Sequence, residues 1–151
     1  MSTARLRFLK PGHVMRLYDT HLFAARLTQR TYLESAIHSP KQHKRYGEND
    51  MYKLAAILAQ KIILNHAYQD GNKRAALMAA DLFLKINGHR LQGVLFTGDE
   101  LDRQLMAAHL AVASNQWDSE RLASFYESVA APLETFHTGN SERKSDGGER
   151  N

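Results

Sequence analysis

Between two long apolar segments the chain reads His66, Ala67, Tyr68, Gln69, Asp70, Gly71, Asn72, Lys73 and Arg74. An imidazole, a carboxylate, a glycine, a capping amide and two cations within nine residues are the parts of a site for a charged ligand. If a helix resumes just after Asn72, that side chain can accept a hydrogen bond from an early backbone amide, and Lys73 and Arg74 then fall in the first turn. The helix dipole disfavours cations there, by roughly 0.3 to 1 kcal/mol each. A local rule broken twice in succession marks function. Free amides, a lysine and an arginine facing one volume would bind an anion, phosphate above all, and Gly71 lets the backbone turn closely around it. Asp70 is the candidate to hold Mg²⁺, an ion that keeps its other positions for water and phosphate oxygens. His66, four residues upstream of Asp70, is the candidate general base for a hydroxyl nucleophile. Tyr68 reads as an anchor for the loop. Singly, a histidine at a helix end, an Asp-Gly-Asn turn and a solvated Lys-Arg pair all have ordinary explanations; their coincidence in one connector favours a site. A zinc pair from His66 and Asp70 finds no cysteine to complete it.

The elements that must position this stretch are helical. Asn49 or Asp50 can cap a helix whose Leu54 to Leu64 stretch is almost entirely apolar, and Ala75 to Ile86 repeats the pattern before Asn87 and Gly88, a left-handed stop. These two segments predict a central hairpin with the candidate site as its connector. Upstream, Pro11 suits the first turn of a helix running to about Phe23, with Val14, Leu17, Tyr18 and Leu22 on one face. Thr28 or Thr31 can cap a second helix carrying Leu33, Ala36 and Ile37, and Pro40 predicts its end. Ser39 to Asn49 then reads as a polar loop whose Lys41, His43, Lys44 and Arg45 are either solvated or a basic lip beside the phosphate site. Downstream, Arg90 to Phe96 reads as a short extended piece, and Thr97 with Glu100 as a capping box for a helix through Leu101, Leu105, Ala108 and Val112. Asp118 or Ser119 caps a last helix with Leu122, Phe125, Tyr126 and Val129, broken by Pro132. The fold class is all-α, a compact bundle with little or no β-structure. Residues 1–136 read as one domain and residues 137–151 as a disordered polar tail.

At 151 residues the chain buries enough surface to need no staple, and without cysteine it has neither disulfides nor thiolate metal sites. The formal net charge is +4, and the tail carries three acids against three bases, so the excess belongs to the folded body. That bias suits an anionic ligand, yet no helix shows a basic face with interleaved base-reading side chains, which argues against a nucleic-acid-binding domain. No apolar stretch reaches membrane-spanning length and no signal segment opens the chain, so a soluble cytoplasmic protein is expected.

The stretch resembles the core motif of the Fic/Doc family, and most closely its death-on-curing (Doc) toxin branch. The general pattern is H-P-F-x-D/E-G-N-G-R-x-x-R and the Doc branch reads H-x-F-x-D-x-N-K-R; His66, Asp70, Asn72, Lys73 and Arg74 match the latter. Ala67 for proline does not separate the branches, and Tyr68 for phenylalanine keeps an aromatic anchor. The resemblance is similar in character from Leu9 to Phe125. It implies that His66 is the general base, that Asp70 holds Mg²⁺, and that Gly71, Asn72, Lys73 and Arg74 hold nucleotide phosphates. Lys73 replaces the small glycine of AMP-transferring relatives, and Leu77 stands where those carry a second phosphate-binding arginine. Both departures imply ATP bound with its γ-phosphate toward the base: a protein kinase toxin, with elongation factor Tu as the implied target. AMP transfer, or a non-catalytic binding domain, is the alternative. Such enzymes also need an inhibitory segment, [S/T]-x-x-x-E-[G/N]; the nearest stretches, Thr138 to Arg143 and Ser145 to Arg150, each end in arginine. Inhibition by a separate antitoxin in trans is therefore expected.

Overall fold

A computed structural model describes residues 5–21, 30–65, 72–91 and 98–133, without the side chains of residues 17–21. Helices α1 (Pro11–His21), α2 (Arg30–Arg45), α3 (Met51–Asn65), α4 (Asn72–Ile86), α5 (Glu100–Ala113) and α6 (Ser119–Val129) carry the fold. Strands β1 (His89–Arg90) and β2 (Ala131–Pro132) form one antiparallel pair, His89 opposite Pro132 and Arg90 opposite Ala131. The all-α expectation holds. Among the described residues no helix is long and apolar enough to cross a membrane. The expected tail, residues 137–151, lies outside the described residues.

Helix α3 packs against α2, α4, α5 and α6, as its apolar sequence requires. Leu54, Leu58 and Ile62 are fully buried, each worth roughly 1.5 to 3 kcal/mol of transfer free energy. Ala55, Ala56 and Ala59 of α3 and Ala75, Ala76, Ala79 and Ala80 of α4 are buried as well. Small side chains of this kind let helix axes approach closely, and α3 and α4 make the most extensive helix pair of the described structure.

The helix expected to stop at Pro40 instead runs through it to Arg45. Proline lacks the N–H that would bond the Ala36 carbonyl. The Ser39 hydroxyl takes over that role, donating to Ala36 O at 2.7 Å inside the core, and His43 Nδ1 lies 2.9 Å from Ser39 O. The supposed polar loop from Ser39 is thus mostly helix, and the true turn is short. It is a Schellman stop: Gly47 N donates to Lys44 O at 3.1 Å and Glu48 N to His43 O at 3.0 Å, with Gly47 at φ 108°. Asp50 then caps α3, accepting from Tyr52 N at 2.8 Å and Lys53 N at 3.3 Å. So tight a reversal sets α2 and α3 antiparallel. At the far end Asn65 Nδ2 donates to Tyr32 O at 3.1 Å.

Helix α4 ends as expected, at Asn87 and a Gly88 of φ 94°. Asn87 also clamps the N-terminal segment, accepting from Arg7 N at 2.8 Å and donating to Arg7 O at 3.0 Å. Asp81, a carboxylate in the apolar run, pairs with Lys85 Nζ at 2.8 Å and accepts from Leu91 N at 2.8 Å. It ties α4 to the chain beyond the turn. Helix α5 starts later than the Thr97 and Glu100 spacing suggested: its cap is Asp99, which accepts from Asp102 N at 2.8 Å, while Asp102 Oδ2 accepts from Gly98 N at 3.0 Å. Asp102 thus reaches past the cap residue to the amide before it, a shifted form of the capping box. Asp118 caps α6 through Arg121 N at 2.8 Å.

Helices α5 and α6 are joined by a buried polar pair. His109 Nδ1 is 2.6 Å from Leu105 O and Nε2 is 2.6 Å from the Tyr126 hydroxyl, with both residues inaccessible. A carbonyl only accepts, so Nδ1 carries the hydrogen, Nε2 accepts, and Tyr126 donates. Burial lowers the His109 pKa from its usual 6.5 to about 4, opposed by the bond to Leu105. Between those values the unfolded chain takes up a proton that the folded chain refuses. Stability should therefore fall as pH drops from 6.5 towards 4, by about 3 kcal/mol from this group when complete. Urea unfolding at the two ends of that window, compared with His109→Gln, measures it; an equal pH response in the variant would refute the assignment. Ser39→Ala should cost about 1 to 3 kcal/mol, because it orphans the buried Ala36 carbonyl; an unchanged urea midpoint would show that another group satisfies it.

Candidate functional site

Asn65 is the last residue of α3 and Asn72 the first of α4, so residues 66–71 connect the two helices of the central hairpin. His66, Asp70 and Gly71 lie outside the described residues. Asn72, Lys73 and Arg74 form the first turn of α4, where no acidic residue offsets them. The arrangement expected from the sequence is present: two consecutive cations at the positive end of a helix dipole. Such a turn repels cations and attracts anions. The donor set fits phosphate, with a half-buried Lys73, an exposed Arg74 and early amides of α4 at one end of the bundle. Asn72 and Arg74 are engaged with other groups, whereas Lys73 makes no hydrogen bond or ion pair among the described residues.

Leu77 lies one turn below Lys73 on the same side of α4 and is fully buried. It belongs to the core. Whatever anion the turn binds receives no side-chain donor from that position. No group of three or more metal-binding side chains occurs among the described residues, and Asp70 is outside them.

The basic residues of α2 are placed otherwise than the lip reading supposed. They sit at the α2 C-terminus beside the start of α3, and residue 66 follows the end of α3. Fifteen residues at 1.5 Å rise separate the two by about 22 Å. Lys41 to Arg45 are not a rim of the phosphate turn. What stands at the end of the bundle where α3 stops was not legible in the sequence: Tyr32 of α2 and Leu64 of α3, 51 and 42 per cent exposed, lie where Asn65 ties the two helices together. Leu64 reads as one more apolar residue of a core helix, and only the packing turns it outward.

A family model described as "Fic/DOC family" matches residues 8–84, from the segment before α1 almost to the end of α4. The chain belongs to the Fic/DOC family. Within it the similarity runs to the Doc branch: the chain is 43% identical over 74 residues, 46% of its own length, to a Toxin Doc of Mycolicibacterium smegmatis. It spans about half of that relative, 56% of its length. The family match ends before α5 and α6, so it covers the hairpin and its connector but not the expected extent to Phe125.

Because Lys73 forms no ion pair among the described residues and stands at a helix start, its removal should not harm the fold. Lys73→Ala is expected to leave stability unchanged or raise it by about 0.3 to 1 kcal/mol, while weakening the binding of any phosphate ligand of this turn, with ATP as the probe, about tenfold or more by loss of a charge-assisted bond. Parallel thermal melts and ATP titrations test both halves. A destabilised variant with unaltered affinity would make Lys73 a structural residue.

Proposed function

We propose that this chain is a Doc-like toxin of a toxin-antitoxin system, transferring the γ-phosphate of ATP to a hydroxyl of a protein target and so arresting translation. The observation that carries the reading is the start of α4: a Lys73 without an ion pair among the described residues, in an acid-free first turn, with Leu77 sealed in the core one turn below. A glycine and an exposed arginine at these two positions would instead suit the AMP-transferring arrangement that the motif comparison describes.

In this reading His66 accepts the proton of the target hydroxyl as its oxygen bonds to the γ-phosphorus, and the bond from that phosphorus to the β-bridging oxygen breaks to release ADP. Asn72, Lys73, Arg74 and the amides that Gly71 frees hold the phosphates and stabilise the charge that shifts onto the leaving oxygen. Asp70 would hold Mg²⁺, which when bound neutralises phosphate charge. Elongation factor Tu is the proposed target, the cytoplasm the proposed compartment, and an antitoxin protein in trans the proposed inhibitor. The similarity to a Toxin Doc supports the toxin role.

Incubation of the protein with bacterial extract and ATP labelled at the γ or the α phosphate decides the reaction. Label is expected on a protein band only from the γ position; label only from α would replace phosphoryl transfer by AMP transfer. His66→Ala should lower the rate about 10² to 10⁴-fold and abolish growth arrest on expression. Full arrest by both His66→Ala and Asp70→Asn would leave a binding module without catalysis.

A further inference from the structure

Helix α3 loses its lateral support in its last two residues. Ile62 and Ile63 are buried in the bundle, whereas Leu64 is exposed and Asn65 half-buried. Helix ends fray where packing stops, because their last carbonyls have no partner within the helix. Asparagine at such a position adds to the difficulty, since its side chain competes for backbone groups and favours turns and caps. In Asn65 that side chain is engaged elsewhere. Its Nδ2 donates to the Tyr32 carbonyl, 3.1 Å away and 33 residues earlier in the chain.

That carbonyl is a firm point of attachment. Tyr32 stands in the first turn of α2, whose Leu33, Ala36 and Ile37 are buried just beyond it. A carbonyl oxygen has two lone pairs and can accept a side-chain donor beside its own helical bond. The amide nitrogen of Asn65 is the atom that can make this contact, because a carbonyl accepts and does not donate. The bond therefore ties the last residue of α3 to the backbone of a neighbouring helix, at the end of the bundle where residue 66 follows.

Consecutive Cα atoms lie about 3.8 Å apart, so the place at which Asn65 is held is the place from which His66 departs. A general base works only within about 2.6 to 3.2 Å of the atom whose proton it takes. A misplacement of about 1 Å can cost about 10²-fold in rate. We propose that Asn65 is a positioning residue for the reaction: its amide, bonded to the Tyr32 carbonyl, fixes the end of α3 and with it the backbone that carries the base. Asn65 has this role only if His66 is that base, whichever phosphate group of ATP is transferred. Since the phosphates in that reading are held from the start of α4, Asn65 acts on the rate and not on the affinity for ATP.

The test uses the full chain, bacterial extract and ATP labelled at the phosphate that the unaltered protein transfers. Asn65→Asp keeps the shape of the side chain and replaces the donor by an oxygen that repels the Tyr32 carbonyl. It is expected to lower the labelling rate at saturating ATP about tenfold or more, with the apparent KM for ATP changed less than about twofold. Asn65→Gln retains a donor and should lose less of the rate than Asn65→Asp. Asn87→Ala is the control for stability: it removes two hydrogen bonds to the backbone of Arg7, just past the opposite end of α4. It should lower the melting temperature and leave the rate within about twofold. Full labelling by His66→Ala would overturn the base and the role of Asn65 with it. A large loss in His66→Ala beside an unchanged rate in Asn65→Asp would overturn the role of Asn65 alone. So would an equal rate loss in Asn87→Ala, or a rate loss in Asn65→Asp that saturating ATP restores. Should Asn65→Asp not fold, Asn65→Ala carries the same expectation.

Discussion

The burial of α3 is the constraint on which the other elements depend. A helix that touches four others must be apolar on nearly every side, and wherever it meets α4 it must also be slim. Alanines meet the second demand. The pairing fixes where α3 ends, at Asn65, and where α4 begins, at Asn72.

The same packing divides the molecule's positive charge. One group of cations, Lys73 and Arg74, stands at a helix start, where the backbone's own field opposes it. The other, Lys41 to Arg45, stands at a helix end, where the field is favourable. Identical residue types therefore carry different information according to the end of the helix they occupy. The antiparallel reversal through Gly47 and Asp50 separates the two groups by the length of α3.

Much of this was legible in the residues. The hairpin of α3 and α4, the stop at Gly88, the cap at Asp118 and the cations at the start of α4 follow from apolar periodicity and terminal chemistry, which act over one or two turns. Pro40 and Thr97 misled for a shared reason: a local rule was satisfied, and a neighbour supplied a better solution. Ser39 hands its hydroxyl to the carbonyl that Pro40 abandons, so the helix continues; Asp99 and Asp102 cap α5 where Thr97 and Glu100 had the expected spacing. Asp81 and His109, polar groups inside apolar runs, have local partners at Lys85 and Leu105 but gave no sign of their distant ones, 10 and 17 residues away at Leu91 and Tyr126.

The sequence by itself determined the helical class, the position of the candidate site between two core helices and its resemblance to the Fic/Doc motif, because periodicity, caps and a nine-residue motif are properties of neighbours along the chain. Only the tertiary structure decided that Leu77 belongs to the core, that Leu64 faces outward, and that Lys41 to Arg45 stand far from the phosphate turn. Those are properties of which faces meet. A chain of period 3.6 states that a helix has an inside, but the direction of that inside is set by the elements that pack against it.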